Sequence, residues 1–194
     1  MKGLALETGL VLEQVQDPDP NEDTFFDNHG GYVEELKLAY EAGNFGMQVG
    51  KFNPGFGVAW DLAAGVYGTD MAEDYETLEK IGGGISYTLE GQGTGEHTIA
   101  ANTFFADTTI LSDSTITKRG RLRKSDGGVS NTEDLSSYSV TLDGENVAAI
   151  EGLGYHLGYR HQAEGDADIG GNDENAFAVA GFHTFALSDR LDAT

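Results

Sequence analysis

The chain of 194 residues contains no cysteine, which excludes disulfide frameworks, thiolate metal sites and redox chemistry through sulfur. Basic residues are also scarce, at 11 against 33 acidic residues, and the formal net charge is -22. Because nucleic-acid binding needs clustered Lys and Arg, we expect no nucleic-acid partner. The same charge would be repelled by an anionic membrane surface, so any membrane association must come from apolar burial.

Long apolar runs are missing as well. No apolar stretch approaches the roughly 18 residues of a membrane-spanning helix, so only β-strands could carry this chain across a membrane. Proline is rare, at 3 residues, whereas glycine reaches 28, which is too many for an ordinary helical domain. The first residues, MKGLALETGLVLE, show no export signal, so we expect either a mature chain or one that begins inside a longer reading frame.

The sequence does contain an alternation of apolar and polar residues, which is clearest in residues 32–54. With Glu34 as the exception, the apolar face of the first arm holds Tyr32, Leu36, Leu38, Tyr40 and Ala42. The return arm alternates Phe45, Met47 and Val49 with Gly46, Gln48 and Gly50. A period of two predicts strands with one apolar and one polar side, and the Gly-Asn pair between the arms suits a tight turn. Aromatic residues at both ends of the apolar face are typical of strands that cross a bilayer.

The same alternation predicts about eight strands in the whole chain. They lie at residues 4–13, 32–42, 45–50, 77–89, 97–110, 138–142, 153–160 and 177–187. The connections alternate between long and short, and a short helical turn is expected at residues 61–64. Outer-membrane barrels keep this rhythm, with short periplasmic turns and long outer loops. We therefore predict an all-β fold: an antiparallel up-and-down transmembrane β-barrel, either a single domain over residues 1–194 or an internal segment of a larger barrel.

The run MQVGKFNPGFG at residues 47–57 resembles a strand end of Gram-negative outer-membrane porins, especially the phosphate-selective type, where such a stretch enters a large inward-folding loop. The resemblance implies that residues 58–76 form that loop. It also implies location in the bacterial outer membrane, contact with lipid and lipopolysaccharide, and passive diffusion of small hydrophilic solutes or ions. A homotrimer is one assembly that the resemblance allows. The chain lacks the terminal aromatic residue of such porins, which a partial barrel would explain.

Acidic residues of the expected inward loop are candidates for a constriction, because a ring of carboxylates stabilises a partly dehydrated cation. These residues are Asp61, Asp70, Glu73, Asp74 and Glu76. A solvated acidic loop is an equally good explanation. On the polar strand faces, Glu35, Lys37 and Arg160 are further pore candidates, although cross-strand ion pairs explain them as well.

Positive charge is concentrated in the stretch TKRGRLRK. Its basic residues are Lys118, Arg119, Arg121, Arg123 and Lys124. They are candidates for attracting anions at a pore entrance or for bridging lipopolysaccharide phosphates, because Arg and Lys pair well with phosphate oxygens. A solvated basic loop is the alternative.

A weak calcium signal occurs in the first long loop. The spacing of a calcium loop is found in Asp17, Asp19, Asn21 and Asp23. The glycine required at the sixth place is Glu22, and the glutamate required at the twelfth is Asn28, so we expect no metal.

No catalytic motif stands out, since the five histidines are scattered and the HExxH, GxSxG and P-loop patterns are missing. We therefore expect neither an enzyme nor a cofactor. Two alternatives to the porin are left open: a soluble β-sandwich or lectin-like binding module whose apolar faces pack together, and a structural surface barrel without an open pore.

Overall fold

The computed structural model describes residues 3–17, 20, 25–62, 75–165, 171–188 and 191–193. Of residues 61, 185–188 and 191–193, only the backbone is described. Within these ranges the protein is all-β, and its main sheet is antiparallel with up-and-down connectivity. No helix in the described ranges is long and apolar enough to cross a membrane.

Eight principal strands pair in chain order to form the sheet. They are β1 (Gly3–Gln14), β2 (His29–Ala42), β3 (Phe45–Phe52), β4 (Lys80–Gly91), β5 (Gly95–Ala106), β7 (Ser137–Glu145), β8 (Leu153–Gln162) and β9 (Glu174–His183). The short β6 (Thr115–Ile116) pairs with β2, while β10 (Phe185–Ser188) and β11 (Leu191–Ala193) form a separate hairpin. Among the described residues β1 and β9 are the edges, so this sheet is not closed into a barrel.

The all-β, antiparallel, up-and-down part of the prediction is confirmed, and each of the eight expected strands corresponds to a principal strand. A helical turn, α1 (Ala59–Leu62), begins two residues earlier than expected. The third long loop contains β6, which the sequence did not predict. Its pairing depends on Gly30, because a Cβ atom there would lie 2.8 Å from the carbonyl oxygen of Thr117. The transmembrane barrel stays a prediction.

One face of the sheet is apolar and exposed. Its side chains include Leu6 at 67% exposure, Met47 at 47%, Ile85 at 54%, Leu157 at 43% and Val179 at 79%. Each belongs to the alternation seen in the sequence. No second layer of the described residues covers this face, so the packing required by a β-sandwich is missing from the described part of the chain.

The opposite face is polar and largely covered. Among the described residues, the buried apolar side chains are Phe52, Pro54, Phe56, Phe104 and Ala106, whereas 15 polar or charged side chains are buried. They include Asn102, Ser139, Thr141, His156 and Arg160, all on inward positions of β5, β7 and β8. Soluble domains bury apolar side chains and expose polar ones, so the arrangement here is inverted.

A β-bulge in β2 corrects the expected placement of Tyr32. Gly9 is opposite Glu35 and Leu10 is opposite Val33, so Glu34 is the extra residue of the bulge. Beyond it the alternation changes phase. The Tyr32 hydroxyl therefore donates to Glu13 Oε1 at 2.7 Å on the polar side, and the prediction that Tyr32 belongs to the apolar face is wrong.

Candidate functional site

The chain that leaves β3 crosses the polar face of the sheet. The Phe56 ring lies 4.3 Å from the Arg160 guanidinium carbon on β8, although β4, β5 and β7 separate β3 from β8. A Cβ atom on Gly57 would lie 3.9 Å from the Ala178 Cβ atom on β9. Such contacts require a curved sheet whose concave side is the polar one. We call residues 53–62 and 75–79 together the crossing segment.

The returning half of the crossing segment is held by the same arginine. Arg160 Nη1 donates to the Tyr75 carbonyl at 3.0 Å and to Thr77 Oγ1 at 2.7 Å, and its Nη2 donates to Glu174 at 2.6 Å. The Glu79 amide donates to Asn53 Oδ1 at 2.8 Å, which joins the two ends of the segment. Both described halves are therefore anchored on the concave face, while residues 63–74 of the expected inward-folding loop lie outside the described residues.

The β2 bulge positions two carboxylates at the start of the crossing segment. Asn53 Nδ2 donates to Glu34 Oε1 at 3.2 Å, and the Asn53 amide donates to Glu35 Oε1 at 3.4 Å. Lys37 Nζ donates to the same Glu35 oxygen at 3.1 Å and lies 3.6 Å from Glu7. A regular strand would place Glu34 and Glu35 on opposite faces, so the bulge creates this acidic anchor.

A cavity of about 1040 Å³ lies between the crossing segment and β9. Aromatic rings on its walls come from Phe56, Trp60, Tyr75, Phe177 and Phe182, and carboxylates come from Glu34 and Glu76. Small residues of β9, Ala178 and Ala180 among them, form the opposite wall. The volume is typical of pockets that hold small organic molecules.

One wall of this cavity carries a histidine that is paired on one side only. His156 is 3% exposed, and its Nδ1 lies 2.6 Å from Asp143 Oδ1 on the neighbouring strand. A carboxylate accepts hydrogen bonds, so Nδ1 is the donor, and in the tautomer with this one proton Nε2 is an acceptor. That Nε2 is buried and has no hydrogen-bond partner among the described residues.

The structure places three of the expected pore residues on the same side of the sheet. Glu35, Lys37 and Arg160 all lie on the concave side and contact charged or polar groups of the crossing segment or its neighbours. Glu76 belongs to the crossing segment, and its carbonyl accepts from Arg160 at 3.4 Å. The side chain of Asp61 and the whole of Asp70, Glu73 and Asp74 lie outside the described residues, so the acidic constriction stays a prediction.

A second charged cluster lies where the strands end beside the third long loop. The Lys51 side chain is 1% exposed, and its Nζ lies 2.7 Å from Glu79 Oε2 and 2.9 Å from Asp107 Oδ2. Arg119 donates to both oxygens of Glu79, through Nη1 at 2.8 Å, and its guanidinium carbon lies 3.7 Å from the Tyr32 ring centroid. This cluster joins the crossing segment to the loop. Glu79 has a φ of +52°, a strained value for a residue other than glycine.

The basic stretch is folded back onto its own loop. Arg121 donates twice to the Thr108 carbonyl, and Lys118 Nζ lies 3.1 Å from Asp113 Oδ2. The hydrogen bond from Lys118, together with those from the Ser114 and Gly120 amides, lowers the pKa of Asp113 despite some desolvation. Arg123 precedes a short 3₁₀ turn, and Lys124 is the first residue of that turn. Binding of anions or lipopolysaccharide by this stretch stays a prediction.

Arg119 is the residue of this stretch whose loss should open the loop. Arg119→Gln removes two charge-assisted hydrogen bonds to Glu79, each worth about 1.5–3 kcal/mol. We expect amide hydrogen exchange at residues 114–122 to become at least about tenfold faster. Arg123→Gln is the matched control, since that exposed side chain lies outside the cluster with Glu79. Equal exchange rates in the two variants would contradict the anchoring role of Arg119.

The calcium candidates lie mostly outside the described residues, which include Asp17 but not Asp19, Asn21 or Asp23. The Asp17 carbonyl accepts from Asn28 Nδ2 at 3.3 Å. No group of three potential metal-ligating side chains occurs among the residues that the structure describes.

Several important residues were missed from the sequence. Glu34 interrupts the alternation by placing a carboxylate on the apolar face, and this interruption is a recognisable signal of a bulge. Phe56, Glu79 and Asp107 carry no such signal, because their partners are 28 to 104 residues away in the chain. Comparisons with family models, curated protein sequences and solved structures give no match to this chain.

Proposed function

We propose that the chain forms a wall of an outer-membrane channel through which small hydrophilic solutes or ions diffuse passively. One observation supports this proposal above all: every principal strand contributes to a single exposed apolar face, while the opposite face buries polar residues. In water, exposing such a face is unfavourable by about 25 cal/mol per Å². In a bilayer the same face contacts the hydrocarbon chains of the lipid, and the paired strands satisfy each other's backbone hydrogen bonds.

Aromatic side chains at the ends of the apolar face support the same proposal. Near the short turns, Phe45 is opposite Tyr87 across β3 and β4, and Tyr40 lies beside them on β2. Near the long loops, the Tyr159 ring lies 5.0 Å from Phe177 and 6.0 Å from Tyr138. Rings at both ends of an apolar band are typical of membrane interfaces.

The concave side has the properties expected of a channel lining. Its inward positions carry small or polar side chains, and the crossing segment lies across it. A segment of backbone inside the curve leaves no room for an ordinary closed eight-stranded barrel, whose interior is filled by side chains. We therefore propose a wider lumen that the crossing segment narrows, with solute selection by its charged and aromatic groups.

Single-channel recording in planar bilayers tests this proposal. Discrete conductance steps are expected for the intact protein, and a protein that inserts without conducting would favour the structural barrel. A chain that stays monodisperse without detergent, with no lipid affinity, would favour a soluble binding module.

Phe56→Ala is expected to raise the single-channel conductance. Phe56 is 8% exposed and contacts Arg160, so its truncation should release the crossing segment from the β8 wall and widen the passage. Phe45→Ala is the control, because Phe45 lies on the apolar face beside a short turn. Identical conductances for Phe56→Ala and the unaltered protein would show that the crossing segment does not narrow the path.

A further inference from the structure

The cavity beside the crossing segment has a chemical character that indicates which solutes it receives. Exposed rings occur at Trp60, which is 46% exposed, and Tyr75, which is 58% exposed, while Phe56 is buried in the wall. Aromatic faces bind apolar groups and attract cations through the negative potential above the ring. The cavity is therefore suited to a molecule with an apolar body, a cationic group, or both.

The charges on the cavity wall favour a cation. Glu34 and Glu76 both contribute to the lining, and no Lys or Arg is among the described residues that do so. Arg160 lies 4.3 Å from the Phe56 ring, and its charge is paired with Glu174 at 2.6 Å. The net charge of -22 adds to the attraction of cations and the repulsion of anions.

His156 supplies a separate indication of a hydrogen-bonding ligand. Its ring lies in the cavity wall, and Asp143 fixes the tautomer in which Nε2 is an acceptor. A buried acceptor without a partner has lost its hydrogen bond to water and gained none in return, which is unfavourable. A ligand with an N–H donor would satisfy this atom, whereas a quaternary ammonium group has no such hydrogen.

We infer that this cavity binds primary ammonium compounds that carry an aromatic or branched apolar group. The ammonium group binds between the Glu34 and Glu76 carboxylates with His156 as a further acceptor, and the apolar group lies against Trp60 and Phe56. This inference rests on the proposed channel function, because it names the solutes that the channel would select. Binding itself does not require ion flow, so the two can be tested separately.

Trp60 is the single tryptophan of the chain, so its fluorescence reports on this cavity alone. Reconstituted protein is titrated with 2-phenylethylamine, with the neutral 2-phenylethanol of similar shape, and with the anionic 3-phenylpropionate. We expect saturable changes in Trp60 emission with the amine, an affinity at least about tenfold lower for the alcohol, and no binding of the anion. Equal affinities for amine and alcohol, or no saturable change with any probe, would overturn the inference.

Charge-removing variants identify the site. The double variant Glu34→Gln and Glu76→Gln keeps the shape and the hydrogen-bond acceptors, and we expect it to raise the dissociation constant of the amine at least about tenfold. Glu90→Gln, an exposed residue at the far end of β4, should leave the constant unchanged. An unchanged constant in the double variant would also reject the inference. If the amine binds but bilayers show no conductance, the channel proposal fails and the binding site stands.

Discussion

Ile85→Arg is expected to prevent stable insertion of the protein into lipid. Ile85 is 54% exposed on the apolar face of β4, between the aromatic rings at one strand end and the long loops at the other. An arginine facing lipid near the bilayer midplane destabilises a membrane barrel by about 2–4 kcal/mol. The measurement is the fraction of protein that becomes resistant to protease and to alkaline extraction after folding into phosphatidylcholine vesicles.

The neighbouring residue provides the matched control. Ser86 is on the concave side of the same strand and lines a small depression of about 220 Å³ to which Glu7 also contributes. Ser86→Arg introduces an arginine at the next residue, on the side of the strand that faces water. There the guanidinium group can be hydrated and can pair with the Glu7 carboxylate. Insertion of the Ser86→Arg variant should therefore match that of the unaltered protein. Equal failure of both variants, or equal success, would contradict the assignment of the two faces to lipid and water.

Lys51→Met is expected to lower the free energy of unfolding by about 3–5 kcal/mol. The side chains of Lys51 and Asp107 are 1% and 2% exposed, and their charged atoms lie 2.9 Å apart. Removing the ammonium group leaves the Asp107 carboxylate buried without its countercharge, and it also removes a donor from Glu79 and from the Leu111 carbonyl. Urea unfolding in detergent micelles, followed by Trp60 fluorescence, measures the change.

Lys118→Met is the control that removes an exposed ammonium group instead of a buried one. The Lys118 side chain is 66% exposed although its Nζ lies 3.1 Å from Asp113. Exposed ion pairs contribute about 0–1 kcal/mol, so this variant should unfold almost as the parent does. The double variant Lys51→Met and Asp107→Asn should recover much of the loss, because it leaves neither charge of that pair unpaired. Equal destabilisation by Lys51→Met and Lys118→Met would reject this view of the cluster.

Local alternation was sufficient to predict most of the sheet. Apolar residues alternate with small or polar ones along most of β3, β4 and β8, and on β3 and β8 these apolar residues are more exposed in the structure than the residues between them. The short connections also predicted the up-and-down order. Two strands that are joined by a short turn can only lie side by side and pair antiparallel. These features depend on residues that are a few positions apart, so they can be predicted from the sequence alone.

The bulge in β2 shows where alternation stops being sufficient. One extra residue, Glu34, moves Tyr32 to the polar face and sets two carboxylates against Asn53. The sequence contains the interruption, but it does not say whether the strand bulges, ends or simply tolerates a charge on its apolar face. That choice depends on the register with β1 and on the groups that receive the carboxylates.

Alternation with a period of two is enough to establish amphipathic antiparallel strands, because it places apolar side chains on one face and polar side chains on the other. It does not establish that the polar face is the covered one, that Phe56 contacts Arg160 or that Lys51 pairs with Asp107, which the folded chain alone reveals. The reason is the curvature of the sheet, which brings β3 and β8 to the same crossing segment although three strands separate them. Curvature results from the twist and pairing of all strands together, and no local pattern of residues encodes it.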